Sequence, residues 1–233
     1  MSDWINDRTP VAYPVASGRT RGPVENALPW HVVVPVKGGE RAKSRLRAPE
    51  GVDRRMLATA LALDTVAAAV DAVGAAHVLV VTADPEVDAD VRRFGASTHP
   101  DPGGGLNAAI AAGVDLHPGG DPVAVLLGDL PALRADDLVK ALAAAAAHPL
   151  SFVPDAEGTG TVLLARPSLG RLLPHFGSGS AVAHAQDGAV RLDLPLPSLR
   201  RDVDDEASLR EALSLGVGRH TAALLAHLIT PTG

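Results

Sequence analysis

The chain contains no cysteine. Disulfide staples, thiolate metal sites and thiol nucleophiles are thereby excluded, so a metal would have to be held by oxygen or imidazole ligands, which favours magnesium-type sites. Aromatic residues are scarce, with one Tyr, three Phe and two Trp. That removes the stacking platforms on which binders of single-stranded nucleic acid depend. The net charge of -6 argues against a general nucleic-acid surface. It still allows a local basic pocket, and Lys37, Arg41, Lys43, Arg45 and Arg47 stand close enough in sequence to form one. Long apolar runs are also missing: stretches such as Ala141 to Ala147 fall short of a bilayer span. Met1 is followed by Asp3 and Asp7 where a secretory leader would be basic. The expectation is a cytoplasmic protein with no membrane segment and no nucleic-acid partner.

What is present suffices for a full core, since 46% of the 233 residues are hydrophobic. Residues 1–28 lack periodicity and carry Pro10, Pro14, Gly18, Gly22 and Pro23, so they read as a poorly ordered extension to a single domain over 29–233. From Trp30 the pattern alternates. Strands are expected to Val36, over His77–Thr82 and over Val123–Leu127, and helices over Arg54–Val73, Pro85–Phe94, Leu106–Leu116 and Ala135–His148. Short apolar runs alternating with alanine-rich helices indicate an α/β fold whose mainly parallel central sheet is flanked by helices. After Leu150 the style changes. Ser151–Pro154, Thr161–Ala165 and Ala189–Leu194 read as short strands of a small mixed β extension, and Asp205–Leu215 as a last helix capped by Asp204 or Asp205 and stopped by Gly216.

Two distant segments carry the strongest chemical signal. Val32 to Lys37 is a buried strand that runs into Gly38, Gly39, Arg41, Lys43 and Arg45, and Val123 to Leu127 is another that ends on Gly128-Asp129-Leu130-Pro131. A polyphosphate needs glycine amides that can approach it closely and cations that neutralise its charge, which Gly38, Lys43 and Arg45 offer. The loop is neither a Walker A motif nor a dinucleotide fingerprint, and a solvated helical turn is its plain alternative. Asp129 lies where parallel sheets bind ligands, which makes it a candidate metal ligand, with a helix cap as the other use. In extended backbone, Asp202 and Asp204 point to the same side, an arrangement that suits Mg²⁺. Asn107 follows three glycines and could reach a base or ribose, or cap a helix. Gly158-Thr159-Gly160-Thr161 and Phe176-Gly177-Ser178-Gly179-Ser180 could hold a compact anion or be turns. His31 and His77, at strand borders, read as satisfied structural histidines, and His184 as an ordinary helix residue.

Taken in order, Val34-Pro35-Val36-Lys37 with Arg41-Ala42-Lys43-Ser44-Arg45-Leu46, Leu106-Asn107, Gly128-Asp129-Leu130-Pro131, Gly158-Thr159-Gly160-Thr161, Phe176-Gly177 with Ser180 and His184, and Asp202-Val203-Asp204 resemble one family. It is that of the guanylyltransferases of coenzyme F420 biosynthesis, which act on 2-phospho-L-lactate in archaea and on phosphoenolpyruvate in actinobacteria. The resemblance spans about Trp30 to Gly218. It implies a glycosyltransferase-A-like nucleotidyltransferase fold, GTP as substrate, Mg²⁺ as cofactor, and hand-over of the product to a deazaflavin-accepting transferase. It further implies that Asp129 and Asp202 hold the metal, that Lys37 and Lys43 belong to the phosphate loop, and that Thr161, Gly177 and Ser180 bind the acceptor. With Lys43 countering the pyrophosphate charge, Lys43, Asp129 and Asp202 form the expected catalytic set. Two positions depart from the family pattern: Asp204-Asp205-Glu206 replaces Asp-Thr-Pro, and Ala183 stands where an arginine often precedes the histidine. Rivals are a molybdopterin guanylyltransferase or a cytidylyltransferase of the same fold, which usually open on an L-A-G-G-type loop, and a regulatory module that binds GTP without chemistry.

Overall fold

The computed structural model describes residues 28–37, 48–117 and 120–229. The expected extension before Leu28 and the segment holding Gly38, Lys43 and Arg45 lie outside them. Strands are β1 (His31–Pro35), β2 (Val78–Thr82), β3 (Ser97–Pro100), β4 (Val123–Leu126), β5 (Ser151–Pro154), β6 (Thr161–Arg166) and β7 (Val190–Arg191). Helices are α1 (Arg54–Val73), α2 (Pro85–Arg93), α3 (Leu106–Val114), α4 (Ala135–Ala145), α5 (Ser180–Gln186), α6 (Pro197–Arg200), α7 (Glu206–Leu215) and α8 (Arg219–Ile229).

Among the described residues one sheet runs in the order β3-β2-β1-β4-β6-β5-β7. β1 pairs in parallel with β2 and β4, β2 with β3, and β5 with β7. β6 alone is reversed, antiparallel to both β4 and β5. The chain passes from β4 through α4 to β5, and the hairpin then returns β6 into the gap between them. The hairpin turn therefore lies at the edge where β1 and β4 end.

Side chains alternate across the sheet with the period of two that extended backbone imposes. Val32, Val34, Val78, Val80, Ala124, Leu126, Val153 and Leu163 face a core that also holds residues of α1, α2 and α4. Val33, Leu79, Val81, Val123, Val125, Phe152 and Leu164 face a second core that takes in Ile110 of α3 and Ala181 of α5. A third cluster joins Leu57 and Leu61 of α1 to Ala132, Val203 and residues of α7 and α8. It brings the Asp202 segment beside the Asp129 loop.

Local chemistry sets the helix ends. The Asp53 carboxylate accepts from the backbone N–H of Arg55 and Met56 at 2.8 and 3.0 Å, which starts α1 where the sequence placed it. Asp205, not Asp204, caps α7 through a reciprocal box with Ser208. α7 is not the last helix, however. α8 follows, and the buried Asp64 of α1 accepts from the backbone N–H of His220 and Thr221 at 2.8 and 2.9 Å near its start. Burial pushes the Asp64 carboxyl above its usual range, and those hydrogen bonds oppose the push.

Other expectations need smaller corrections. His77 belongs to a short 3-10 turn before β2, α3 stops at Val114, and α4 stops at Ala145. The last expected strand shrinks to Val190–Arg191, because β7 pairs only with the first half of β5 before Pro195 and Pro197 turn the chain. β3 was not expected: Ser97-Thr98-His99-Pro100 is a partly exposed edge strand with no apolar alternation. α1 is long and apolar enough to cross a membrane by length and composition, contrary to the expectation that no segment is. In the fold it lies along the sheet, with Leu63, Val66 and Ala69 fully or almost fully buried there.

Candidate active site

The chain-terminal ends of β1 and β4 lie side by side, because the two strands are parallel neighbours. Gly128 is what lets them approach: a Cβ there would stand 2.9 Å from the Pro35 carbonyl oxygen and 3.1 Å from Val36 Cγ2. Beyond it the chain turns out of the sheet. Leu130 donates its N–H to Thr65 Oγ1 at 2.9 Å, and Val203 donates its N–H to the Asp129 carbonyl at 3.0 Å. Val203 is itself fully buried, so the segment from 202 to 204 is pinned to the β4 loop by backbone and side chain together.

The result is a convergence of acids. Carboxylate oxygens of Asp129, Asp202 and Asp204 lie within 4.8 Å of one another. Three oxygen donors from two segments held by the fold could share a hard divalent cation, and no soft or nitrogen donor belongs to the set. Asp129 is not a helix cap, since Arg134 holds the N-cap position of α4. Nor is Asp204, because Asp205 serves α7 in its place.

A second group of residues gathers on the neighbouring strand. β6 runs antiparallel to β4, with Leu126 opposite Leu163 and Leu127 donating its N–H to the Val162 carbonyl at 3.0 Å. Thr161, the first residue of β6, thus starts at the edge where Asp129 emerges. The turn before it is built by Asp155, whose carboxylate accepts from the N–H groups of Thr159 and Gly160 at 2.9 and 2.7 Å. The N–H of Ala181 then bonds to the Thr159 carbonyl at 3.1 Å, so the two small-residue loops meet.

His184 joins them further, and sequence reasoning missed this role. It is 1% exposed on α5, with Nδ1 2.9 Å from Thr161 Oγ1 and Nε2 accepting from the His175 N–H at 3.1 Å. An amide donor at Nε2 requires a lone pair there, so the neutral ring carries its proton on Nδ1 and donates it to Thr161. The Thr161 hydroxyl accepts from His184 and keeps its own proton for another partner. Burial, reinforced by His175, lowers the His184 pKa to about 4 and keeps that tautomer neutral at pH 7.

Asn107 also proves to be a clamp. Its side-chain NH₂ donates to the Phe176 carbonyl at 3.1 Å, and its carbonyl oxygen accepts from the Phe176 N–H at 2.9 Å. The helix-cap alternative fails, because Gly105 occupies the N-cap of α3 and no side chain caps that end. The clamp fixes the loop that carries Gly177, which has φ of 130°, and Ser180. Ser180 Oγ is buried without a hydrogen-bond partner among the described residues. A buried hydroxyl in that state is costly unless a ligand satisfies it.

The structure therefore brings together Asp129, Asp202 and Asp204, and separately Thr161, Ser180, Gly177 and Asn107, along neighbouring strand ends. Lys37 is exposed just past β1 on the same edge. Gly38, Lys43 and Arg45 lie outside the described residues. The sequence signal that could have exposed His184 as a hub is its spacing: a lone histidine four residues into a short helix that begins on Ser180, with Thr161 leading the preceding strand.

Comparison with known proteins shows the family and the fold. The model of the MobA-like NTP transferase domain matches residues 55–190. A phosphoenolpyruvate guanylyltransferase from Geodermatophilus obscurus is 53% identical over 88% of this chain and 97% of its own length. One from Streptomyces scabiei is 49% identical over 88% of this chain and 99% of its own. Among solved structures, a cytidylyltransferase from Leptospira borgpetersenii superposes with a TM-score of 0.54 at 12% identity, covering 87% of this chain and 94% of that one. The last likeness concerns the fold alone, which is that of the glycosyltransferase-A-like nucleotidyltransferases.

Proposed function

The chain belongs to the phosphoenolpyruvate guanylyltransferase family and is a nucleotidyltransferase, and from that premise we propose that it transfers GMP from GTP to the phosphate of phosphoenolpyruvate. Pyrophosphate leaves, and the product is consumed in coenzyme F420 biosynthesis by a transferase that accepts a deazaflavin. The observation that carries the proposal is the convergence of Asp129, Asp202 and Asp204 within 4.8 Å at the strand ends. Such an all-oxygen set suits Mg²⁺, which when bound would neutralise phosphate charge as it builds during transfer.

The remaining work belongs to the chain's own residues. An oxygen of the acceptor's phosphate attacks the α-phosphorus, the new P–O bond forms as the bond to the β-phosphate oxygen breaks, and the electron pair departs with pyrophosphate. The acceptor phosphate is already ionised at neutral pH, so no strong general base is required. Positioning and charge then supply the rate. Thr161 offers its hydroxyl proton to the acceptor while His184 holds it in place, and Ser180 offers the buried hydroxyl beside it. Gly177 leaves room for a ligand, because a Cβ at this residue would meet nothing within 4 Å. Lys37 and Lys43 serve the triphosphate from the loop after β1, and Asn107 acts by fixing the Phe176 loop between nucleotide and acceptor.

Pyrophosphate release tests this directly, measured with GTP, ATP and CTP against phosphoenolpyruvate, 2-phospho-L-lactate and 3-phosphoglycerate. Turnover is expected with GTP and phosphoenolpyruvate. Its absence with all three acceptors would overturn the proposal, and turnover with CTP alone would reassign the base.

A further inference from the structure

The opposite edge of the sheet, where the parallel strands begin, carries a second cluster that the transfer reaction does not use. His31 opens β1, His77 ends the turn that feeds β2, and His117 and Asp121 lie between α3 and β4. The β1–β4 pairing brings them together: His31 stands opposite Val123 and donates its N–H to the Pro122 carbonyl at 2.8 Å. One nitrogen of His31, one of His117 and a carboxylate oxygen of Asp121 lie within 4.8 Å of one another. The His31 and His117 rings are 4.3 Å apart between centroids, and His77 meets His31 edge-on at 5.0 Å.

Two further facts point to a ligand. His117 Nε2 and His77 Nδ1 are buried and have no hydrogen-bond partner among the described residues. Imidazole nitrogens in that state lose their bonds to water and gain nothing in return. Burial also holds His31 and His117 below the usual histidine range, each helped by a neighbouring histidine and opposed by Asp121, while Arg166 adds to the lowering at His117. Imidazole ligates a metal through the lone pair of its neutral form.

We propose that His31, His117 and Asp121 form a binding site for a divalent transition-metal ion of the zinc class, with His77 packed against the set. Two imidazoles and a carboxylate are a donor set that zinc-class ions accept and that Mg²⁺, which prefers oxygen alone, does not. The site ties the start of β1 to the connection entering β4. Its role is structural, since it lies at the end of the sheet remote from Asp129 and Thr161. The molecule would then sort ions by chemistry, a hard cation at one edge and a borderline one at the other.

The test uses the untagged full-length protein, stripped with a chelator and titrated with Co²⁺ and with Zn²⁺ against a competing chromophoric chelator. One equivalent is expected to bind with micromolar or tighter Kd, Co²⁺ giving the visible bands of a low-coordinate nitrogen and oxygen site. Replacing His117→Ala or Asp121→Asn should weaken binding at least tenfold, whereas Asp129→Asn with Asp202→Asn should leave it unchanged. Asp121 is exposed, so its substitution does not threaten the fold. Saturating Zn²⁺ should also raise the Tm of the stripped protein by several degrees. Absence of stoichiometric binding, or binding indifferent to His117 and Asp121, overturns the proposal.

Discussion

The two halves of the strand-end edge are made differently. On the β6 side, side chains do the holding: Asp155 builds the hairpin turn, His184 links Thr161 to the His175 backbone, and Asn107 grips Phe176 from both sides. On the β1–β2 side, glycine and backbone dominate. Gly103, Gly104 and Gly105 all have positive φ, of 84°, 83° and 103°, and α3 begins after them with no side-chain cap. A bare helix N-terminus behind open glycines suits a ligand that brings its own negative charge, such as a triphosphate. A small rigid acid demands fixed hydroxyls instead. Under the proposed function, the difference teaches that the acceptor would be selected by fixed side chains, whereas the nucleotide would meet backbone amides and the lysines of the loop after β1.

The acid cluster between the halves gives the largest expected effect. Asp202→Asn should lower kcat about a hundredfold or more with the fold intact, and Asp204→Asn, on the exposed member, should cost less. Steady-state kinetics with circular dichroism checks both; equal losses would mean that the three carboxylates act as one unit. The β6 side should fail next. Asn107→Ala removes two hydrogen bonds to Phe176 and should cost about 1–3 kcal/mol of stability and raise KM for the acceptor more than for GTP. A rise confined to KM for GTP would erase the contrast between the halves.

His184 makes the contrast sensitive to pH. Its pKa falls from 6.5 to about 4 on folding, so the native state resists protonation that the unfolded chain accepts. Its contribution is fully present above pH 6.5 and is lost as pH falls towards 4, reaching about 3 kcal/mol at most. Urea denaturation across that window should show the loss in the wild type and a flatter profile in His184→Gln. Gly128→Ala is the mildest of these changes at the chemistry and a direct one at the fold. Its Cβ would press on the Pro35 carbonyl and should destabilise by about 1–3 kcal/mol, read as a lower Tm.

Much of this was legible in the residues. The apolar runs of β1, β2 and β4 and the capped start of α1 follow from local pattern, and Asp129 was identifiable because it ends a buried strand. The two-residue spacing of Asp202 and Asp204 is visible in the sequence, but their meeting with Asp129 depends on the Val203 bond to the β4 loop, which is not. β3 escaped because polar edge strands carry no alternation. α8 escaped because part of what fixes its start is Asp64, 156 and 157 residues before the two amides it accepts from. Asn107 escaped for the same reason, since its partners are the backbone groups of Phe176, 69 residues away, and the link from His184 to Thr161 needs the fold to bring α5 beside the start of β6.

The account turns on Asp129, where the two halves meet. Pyrophosphate release with GTP and saturating phosphoenolpyruvate, measured side by side for the wild type and Asp129→Asn, tests it most directly. The account predicts turnover by the wild type and a loss of about a hundredfold or more in the variant at unchanged Tm. A folded Asp129→Asn enzyme with undiminished turnover would contradict it.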